Sequence, residues 1–251
     1  MAKDSLTIIR ANSFCHAKGV NGKNQRLLRK VLLGVDYNTI LVISHQNSMK
    51  ATAGREDVPD LIIDAADRLL ARYGYKKMTM DDLAEEAGIG KGSLYLHFRS
   101  KEEIALARVD RIIDRLKERL REIAGSNASS AARIRRMLLE RVLFRFDSVR
   151  HYTESLGDVL AAIRPALMIR HAGHFKQEGE IFSEVLREGG RCGELRVRNA
   201  DATARALIVA TNALLPYSLS PRELGRRKEV EAEITRIAHL LINGLKSAAT
   251  N

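Results

Sequence analysis

Apolar residues recur three and four positions apart along most of this chain, a spacing that predicts helices. Ile62, Ala65, Ala66 and Leu69 share one face of a first helix. Leu83, Ala84 and Ala87 mark a second, and Leu94 and Phe98 a third. Val109, Ile112, Leu116, Leu120 and Ile123 lie along one stripe of a longer connecting helix, and Ile134, Leu138 and Val142 follow on another after a break at 125–130. Pro165 lacks a backbone N–H and is expected to start or kink a helix. The helix after it runs through Phe175, Ile181, Phe182 and Val185 to Gly189-Gly190. Residues 202–215 and 228–246 form the last two, punctuated by Pro216 and Pro221. Residues 1–54 show no sustained helical period. The expected fold is all-α.

The segment Thr79–Lys101 carries the densest local signals. Thr79 is a suitable N-cap, and Asp82 three residues on completes a capping-box-like pair. Gly88 falls where a helix ends in a left-handed residue, which glycine adopts at least cost. Ile89 is the apolar plug of the turn. Gly90 opens the next helix as an acceptable N-cap. Leu94 and Phe98 share its buried side, leaving Lys91, Ser93, Tyr95 and His97 to point elsewhere. Ser100 and Glu103 form another capping box and start a further helix. No acidic residue lies between Gly88 and Lys101, whereas Lys91, Arg99 and Lys101 are basic. This is a helix-turn-helix whose second helix suits a DNA groove.

At these positions the chain resembles the tetracycline-repressor (TetR) family of bacterial transcription regulators. The match runs through Ile62, Ala65, Ala66, Leu69, Gly74-Tyr75, Thr79, Leu83-Ala84 and Ala87-Gly88, then Gly90-Lys91-Gly92-Ser93-Leu94-Tyr95, His97-Phe98 and Ser100-Lys101-Glu102. It covers residues 58–105. Gly90 departs from it, because the family often has a serine-type cap there. The resemblance implies an N-terminal three-helix helix-turn-helix unit at 55–105 and a helical effector-binding and dimerisation bundle at 106–251. Residues 1–54 would be a poorly ordered extension. It also implies a homodimer on a palindromic double-stranded DNA operator, released by a small molecule. The last two helices would pair with their mates in a four-helix interface.

The net charge of +11 does not itself argue for DNA. Residues 1–50 hold eight Lys/Arg and two acids, a net of +6, whereas 51–105 hold eight bases and eleven acids. The case rests on segregation, with the acids on the first two helices and away from Lys91–Lys101. Two cysteines, Cys15 and Cys192, make no disulfide framework, and the expected compartment is the cytoplasm. No apolar run approaches the roughly 18 residues of a membrane span.

The candidate DNA-binding residues are Thr79, Lys91, Gly92, Ser93, Tyr95, His97 and Lys101. Lys91 can reach base edges, and Tyr95 and His97 phosphates. Lys101, near a helix N-terminus, suits a phosphate. Gly92 permits close approach to the backbone or a thymine methyl. Each has a plain alternative, such as a solvated charge, a packed aromatic or a tolerated glycine. His171-x-x-His174 with Glu178 and His151 invites a metal reading, but no Cys or carboxylate cluster has matching spacing. Surface or pocket polarity is the expected role. No nucleophile elbow, Walker loop or dinucleotide fingerprint is present, so neither catalysis nor a cofactor is expected.

A hydrophobic or amphipathic effector is expected in the C-terminal bundle. Phe144, Phe146, Tyr152, Leu156, Leu160, Phe175 and Phe182 could line its site, with Arg164, His151 or His171 orienting a polar group. Helical core is the competing role for most of them. Residues 1–48 are expected to be dispensable for folding, because translation starts at Met49 or because they form a basic arm that follows DNA phosphates or enters a minor groove; a third reading is a short β-like element from Thr39 to Ser44 packing on the domain. A weakly specific architectural DNA-binding protein remains the alternative function.

Overall fold

The structure, a computed structural model, describes residues 57–219, 221–224 and 226–246. The N-terminal extension expected over 1–54, with its proposed start or arm, lies outside the described residues. From Asp57 onward the chain forms one compact unit. Its helices are α1 (Val58–Tyr73), α2 (Met80–Glu86), α3 (Lys91–His97), α4 (Lys101–Ala124), α5 (Ser130–Val149), α6 (Thr153–Arg191), α7 (Ala200–Thr211), α8 (Pro221–Leu224) and α9 (Arg227–Leu245). Tight 3-10 turns at Arg150–Tyr152, Asn212–Leu214 and Pro216–Ser218 join some of them. Among the described residues the sole β feature is an isolated antiparallel bridge between Leu195 and Lys246.

Helices α2, α4, α5 and α7 begin where a side chain caps their orphan backbone amides. Thr79 and Asp82 make a reciprocal capping box on α2. Ser100 accepts from the Glu103 amide at the start of α4, but the Glu103 carboxylate accepts from the Arg99 amide instead of closing the box. Glu194 reaches the α5 N-terminus from the loop after α6 and accepts from the Ser130 and Ala131 amides at 2.8 and 2.9 Å. A carboxylate there complements the helix dipole. Gly74, at φ 76°, closes α1, and a β-carbon on it would lie 2.6 Å from Ser155 Oγ.

Leu83, Leu94, Ile104, Leu116, Leu120, Met137, Leu138 and Phe182 are all fully buried, and one hydrophobic core connects them. That core runs without interruption across the division expected between 105 and 106. The division falls inside α4, which passes it through the buried neighbours Ala105 and Leu106. Helix α4 packs on α1 at one end and lies against α5 and α6 along its length. Helix α7 packs on α6, and α9 on α5. Where α6 meets α5 the backbones come close. A β-carbon on Gly189 would lie 2.7 Å from Leu195 and 2.8 Å from Ser130, so only glycine fits.

Pro165 does not start a helix: it lies inside α6, a continuous helix of 39 residues. Its missing N–H leaves the Ala161 carbonyl without a helical partner, but Ala161 and Pro165 are both exposed, so water can serve that oxygen. No helix among the described residues is long and apolar enough to cross a membrane.

Candidate DNA interface and inner cavity

Helices α2 and α3 are joined through Gly88, at φ 68°, and form the helix-turn-helix. Leu94 is the fully buried anchor of α3, with Phe98 half-buried beside it. The rest of this short helix is open to solvent apart from half-buried Ser93. Helical spacing puts Lys91, Gly92, Tyr95 and Leu96 on one flank and Ser93 and His97 on the other. Leu96 is 85% exposed and lies opposite the buried Leu94. In the sequence the sign of Leu96 is that it is apolar yet offset from the Leu94–Phe98 face.

The seven candidates are not equivalent in their contacts. Lys91 Nζ lies 2.6 Å from Asp81 on α2. That carboxylate holds the ammonium above the usual lysine range, chiefly by hydrogen bonding. The pair is exposed and so contributes little to stability. Gly92 faces open space, with nothing within 4 Å of where a β-carbon would sit. Tyr95 and His97 are exposed. Thr79 is exposed as well, and its hydroxyl caps α2. Lys101 stands apart from the others. Its ammonium turns inward, donates to the Tyr75 and Met78 carbonyls at 3.1 and 3.2 Å, and rests 4.5 Å from the centre of the Tyr75 ring. The Tyr75 hydroxyl in turn donates to Glu102 at 2.7 Å. Burial and that carboxylate push the phenol well above its usual range. Lys101, Tyr75 and Glu102 together fix the loop between α1 and α2 to the start of α4.

A second linkage runs from the DNA-binding unit into the bundle. Buried Arg108 on α4 donates to Asp67 on α1, to the Tyr152 hydroxyl, and at 2.9 Å to the Ser148 carbonyl. Desolvation pushes the Tyr152 phenol up to about 12, so it stays protonated. Arg111, one turn further along α4, lies 2.7 Å from Asp64 and 3.3 Å from Asp60.

Arg108 and Tyr152 also line one end of a partly open cavity of about 90 Å³ between α4, α5 and α6, which Leu70 of α1 and Pro216 and Tyr217 also line. Its walls are mostly apolar and include Ile112, Ile113, Leu156, Val159, Leu160, Ile163 and Phe175. Of the expected lining residues, Tyr152, Leu156, Leu160 and Phe175 reach it, whereas Phe146 and Phe182 are packed in the core and Phe144 lies under Arg119. Of the expected polar groups, His171 lines it. His151 is exposed, and exposed Arg164 borders a smaller void beside it. His171 sits between the Phe175 and Tyr217 rings, with centroids 5.2 and 4.7 Å away. Desolvation, reinforced by His174 and Arg145, lowers its basicity. His174 Nε2 lies 3.2 Å from Asp110. The two imidazoles are therefore engaged separately, and among the described residues no group of three ligating side chains is poised for a metal.

Behind His171 lies a buried ionic cluster. Arg141 and Glu178 are fully buried and Arg145 nearly so. Arg141 donates to Glu178 at 2.8 Å, to Thr211 Oγ1 at 2.7 Å and to Asn212 Oδ1 at 2.7 Å. Arg145 donates to the other Glu178 oxygen and, at 3.0 Å, to the Arg141 carbonyl. Desolvation lowers Arg141 to about 10, so it remains charged at neutral pH. Burial works against ionised Glu178, but the two guanidiniums outweigh it and hold the carboxyl below its ordinary range. Arg141 and Arg145 occur four apart among apolar neighbours, which was the only hint in the sequence.

These features define a helical DNA-binding protein that carries a helix-turn-helix on a bundle with an internal cavity. The chain belongs to the tetR family of bacterial regulatory proteins, whose family model matches residues 62–107. The HTH-type transcriptional regulator YhgD of Bacillus subtilis (strain 168), itself uncharacterized, is 30% identical over 165 residues, covering 63% of this chain and 83% of that one. A transcriptional regulator from Cytophaga hutchinsonii superposes with a TM-score of 0.62 at 19% identity, over 75% of this chain and 98% of that one. A SmeT–triclosan complex superposes with a TM-score of 0.55 at 16% identity, over 76% and 93%. The chain is therefore a transcription regulator that binds DNA through its helix-turn-helix.

Proposed function

We propose that this regulator is a repressor that binds a palindromic operator as a homodimer and leaves it when a hydrophobic or amphipathic small molecule fills the inner cavity. The observation that carries the reading is Arg108. It lines the cavity and at the same time holds Asp67 on the first helix of the DNA-binding unit. Whatever displaces that guanidinium changes how α1 sits on α4. The effector then favours whichever arrangement it fits better, and only its difference in affinity between the two drives release. SmeT, which shares this fold, is known in complex with triclosan.

On the DNA side, Lys91, Gly92, Tyr95 and Leu96 form the flank that enters the major groove, and Ser93, His97 and Thr79 approach phosphates. Leu96 suits a thymine methyl. Lys101 serves the interface indirectly by holding the 75–78 carbonyls. The dimer face is drawn from α7 and α9. Ala202, Ala206, Val209, Ala210 and Ala213 form an exposed apolar stripe, and Leu240 on α9 is 70% exposed. A single helix-turn-helix reads one half-site, and two related by a dyad read a palindrome.

Selection of bound DNA from a random pool by purified protein tests the reading. A palindrome with half-sites about one helical turn apart supports it. Binding with no recovered sequence preference favours the architectural alternative.

A further inference from the structure

We propose that the cavity's ligand carries one negatively charged head, a carboxylate on an apolar body, and that Arg145 receives it. This rests on the effector reading of the cavity and adds to it a charge and an orientation.

Arg141 and Arg145 are both buried, and Glu178 alone balances them. All three nitrogens of Arg141 are occupied by Glu178, Thr211 and Asn212, so Arg141 is spent on the junction of α5, α6 and α7. Arg145 is the member of the cluster that reaches the cavity wall. It leaves one positive charge uncompensated where little water can reach it, an arrangement that is costly unless a counter-charge arrives.

The other ionic groups nearby do not supply that counter-charge. Asp110 is committed to Arg170 and His174. His171 is pressed toward its neutral form, so it adds no positive charge but offers ring nitrogens beside the same end of the cavity. Arg108, at the far end, already has Asp67. The cavity is thus polarised, with a surplus cation beside His171, His174 and Tyr217 and an apolar body lined by Ile113, Val159 and Ile163. A planar carboxylate matches a guanidinium in shape as well as charge. An alcohol would leave the surplus charge standing, and an amine would double it.

The test uses the full chain at pH 8, where a fatty carboxylic acid is ionised and an alkylamine protonated. Octanoate, 1-octanol and octylamine share a body and differ in head charge. Isothermal titration should show octanoate binding about 10-fold or more tighter than either of the others, the scale of one charge-assisted hydrogen bond. Arg145→Lys should keep that preference. Arg145→Met should erase it, bringing octanoate and octanol within a few-fold, while raising the melting temperature because Glu178 then faces one guanidinium. A purely structural arginine would instead lower the melting temperature and leave the ranking unchanged.

Octanol or octylamine binding as tightly as octanoate overturns the proposal. So does an Arg145→Met protein that keeps the preference or fails to fold, and so does the absence of binding by all three. Operator release measured in the same samples separates ligand binding from control of DNA binding. Release by octanol as efficient as by octanoate retains effector control and removes the anionic head. Preferential octanoate binding without release retains the anionic site and removes the control.

Discussion

Arg108 on α4 and Asp67 on α1 form a partly buried ion pair that joins the wall of the inner cavity to the first helix of the DNA-binding unit. Sequence distance conceals it, since the two residues are 41 positions apart. Replacing Arg108 with Met leaves the Asp67 carboxylate only Arg111, at 3.4 Å, and takes the guanidinium away from the Tyr152 hydroxyl. We expect a stability loss of about 1–3 kcal/mol, the range for charged hydrogen bonds, discounted because Asp67 is partly exposed. The same variant should bind operator but respond weakly to effector. Thermal denaturation and ligand-dependent DNA release read the two effects, and an unchanged release curve would refute the coupling.

On the DNA face, Lys91→Ala and Tyr95→Phe should weaken operator binding without shifting the melting temperature, because neither residue enters the core. Lys91→Ala should also reduce the log–log salt slope by about one unit. Asp81→Asn should do the opposite of Lys91→Ala at low salt, since it frees the lysine from its partner. Full affinity in both Lys91→Ala and Tyr95→Phe at physiological salt would dismiss this flank.

Gly92→Ala separates folding from recognition. The added methyl meets nothing in the free protein and favours the helix by about 0.5–1 kcal/mol. Stability should hold or rise while operator affinity falls. Affinity equal to wild type would mean that the missing side chain serves no close approach to DNA.

The caps and the turn of the helix-turn-helix were legible in the sequence. Thr79 and Asp82 act three residues apart, the turn residues Gly88 and Gly90 two apart, and local caps and turns announce themselves locally. Lys101 was not legible, since its carbonyl partners lie 23 and 26 residues upstream and a lysine beside a helix start reads as a phosphate ligand. The Arg141–Arg145–Glu178 cluster was hidden for a similar reason. Charged residues are normally solvated, and only the packing of α5 on α6 brings these three out of water together. Pro165 reads as a helix start or a kink, and solvent on its own face lets the helix continue through it.

The exposed stripe on α7 predicts that Val209→Glu, or Leu240→Glu on α9, yields a folded monomer. Light scattering should halve the mass, far-ultraviolet dichroism should be unchanged, and binding to a two-half-site operator should drop by more than 10-fold as avidity is lost. A dimer of unaltered stability in both variants would place the interface elsewhere.

Acid should weaken the fold in two stages. Folding holds His171 below its ordinary pKa, so the unfolded chain takes up the proton first and stability falls as pH drops below about 6.5. Glu178 has its carboxyl held below the ordinary range, so its contribution is present above about 4.5 and disappears as pH falls further. His171→Gln should remove the first stage and spare the second, as read by denaturant midpoints between pH 8 and 4.

Helix α4 crosses from the DNA-binding unit to the wall of the cavity without a break, over 24 residues. At 1.5 Å per residue it is a rod of about 36 Å. Pivoted near Ala124, a tilt of roughly 5° sweeps the Lys101 end through about 3 Å. In a two-fold dimer both rods swing at once, and the displacements of the two reading helices add. Half-sites about 34 Å apart tolerate little of that. Arg108 lies about 24 Å from the pivot, so a shift of about 2 Å there accompanies that sweep and reaches the groove end about 1.4-fold enlarged.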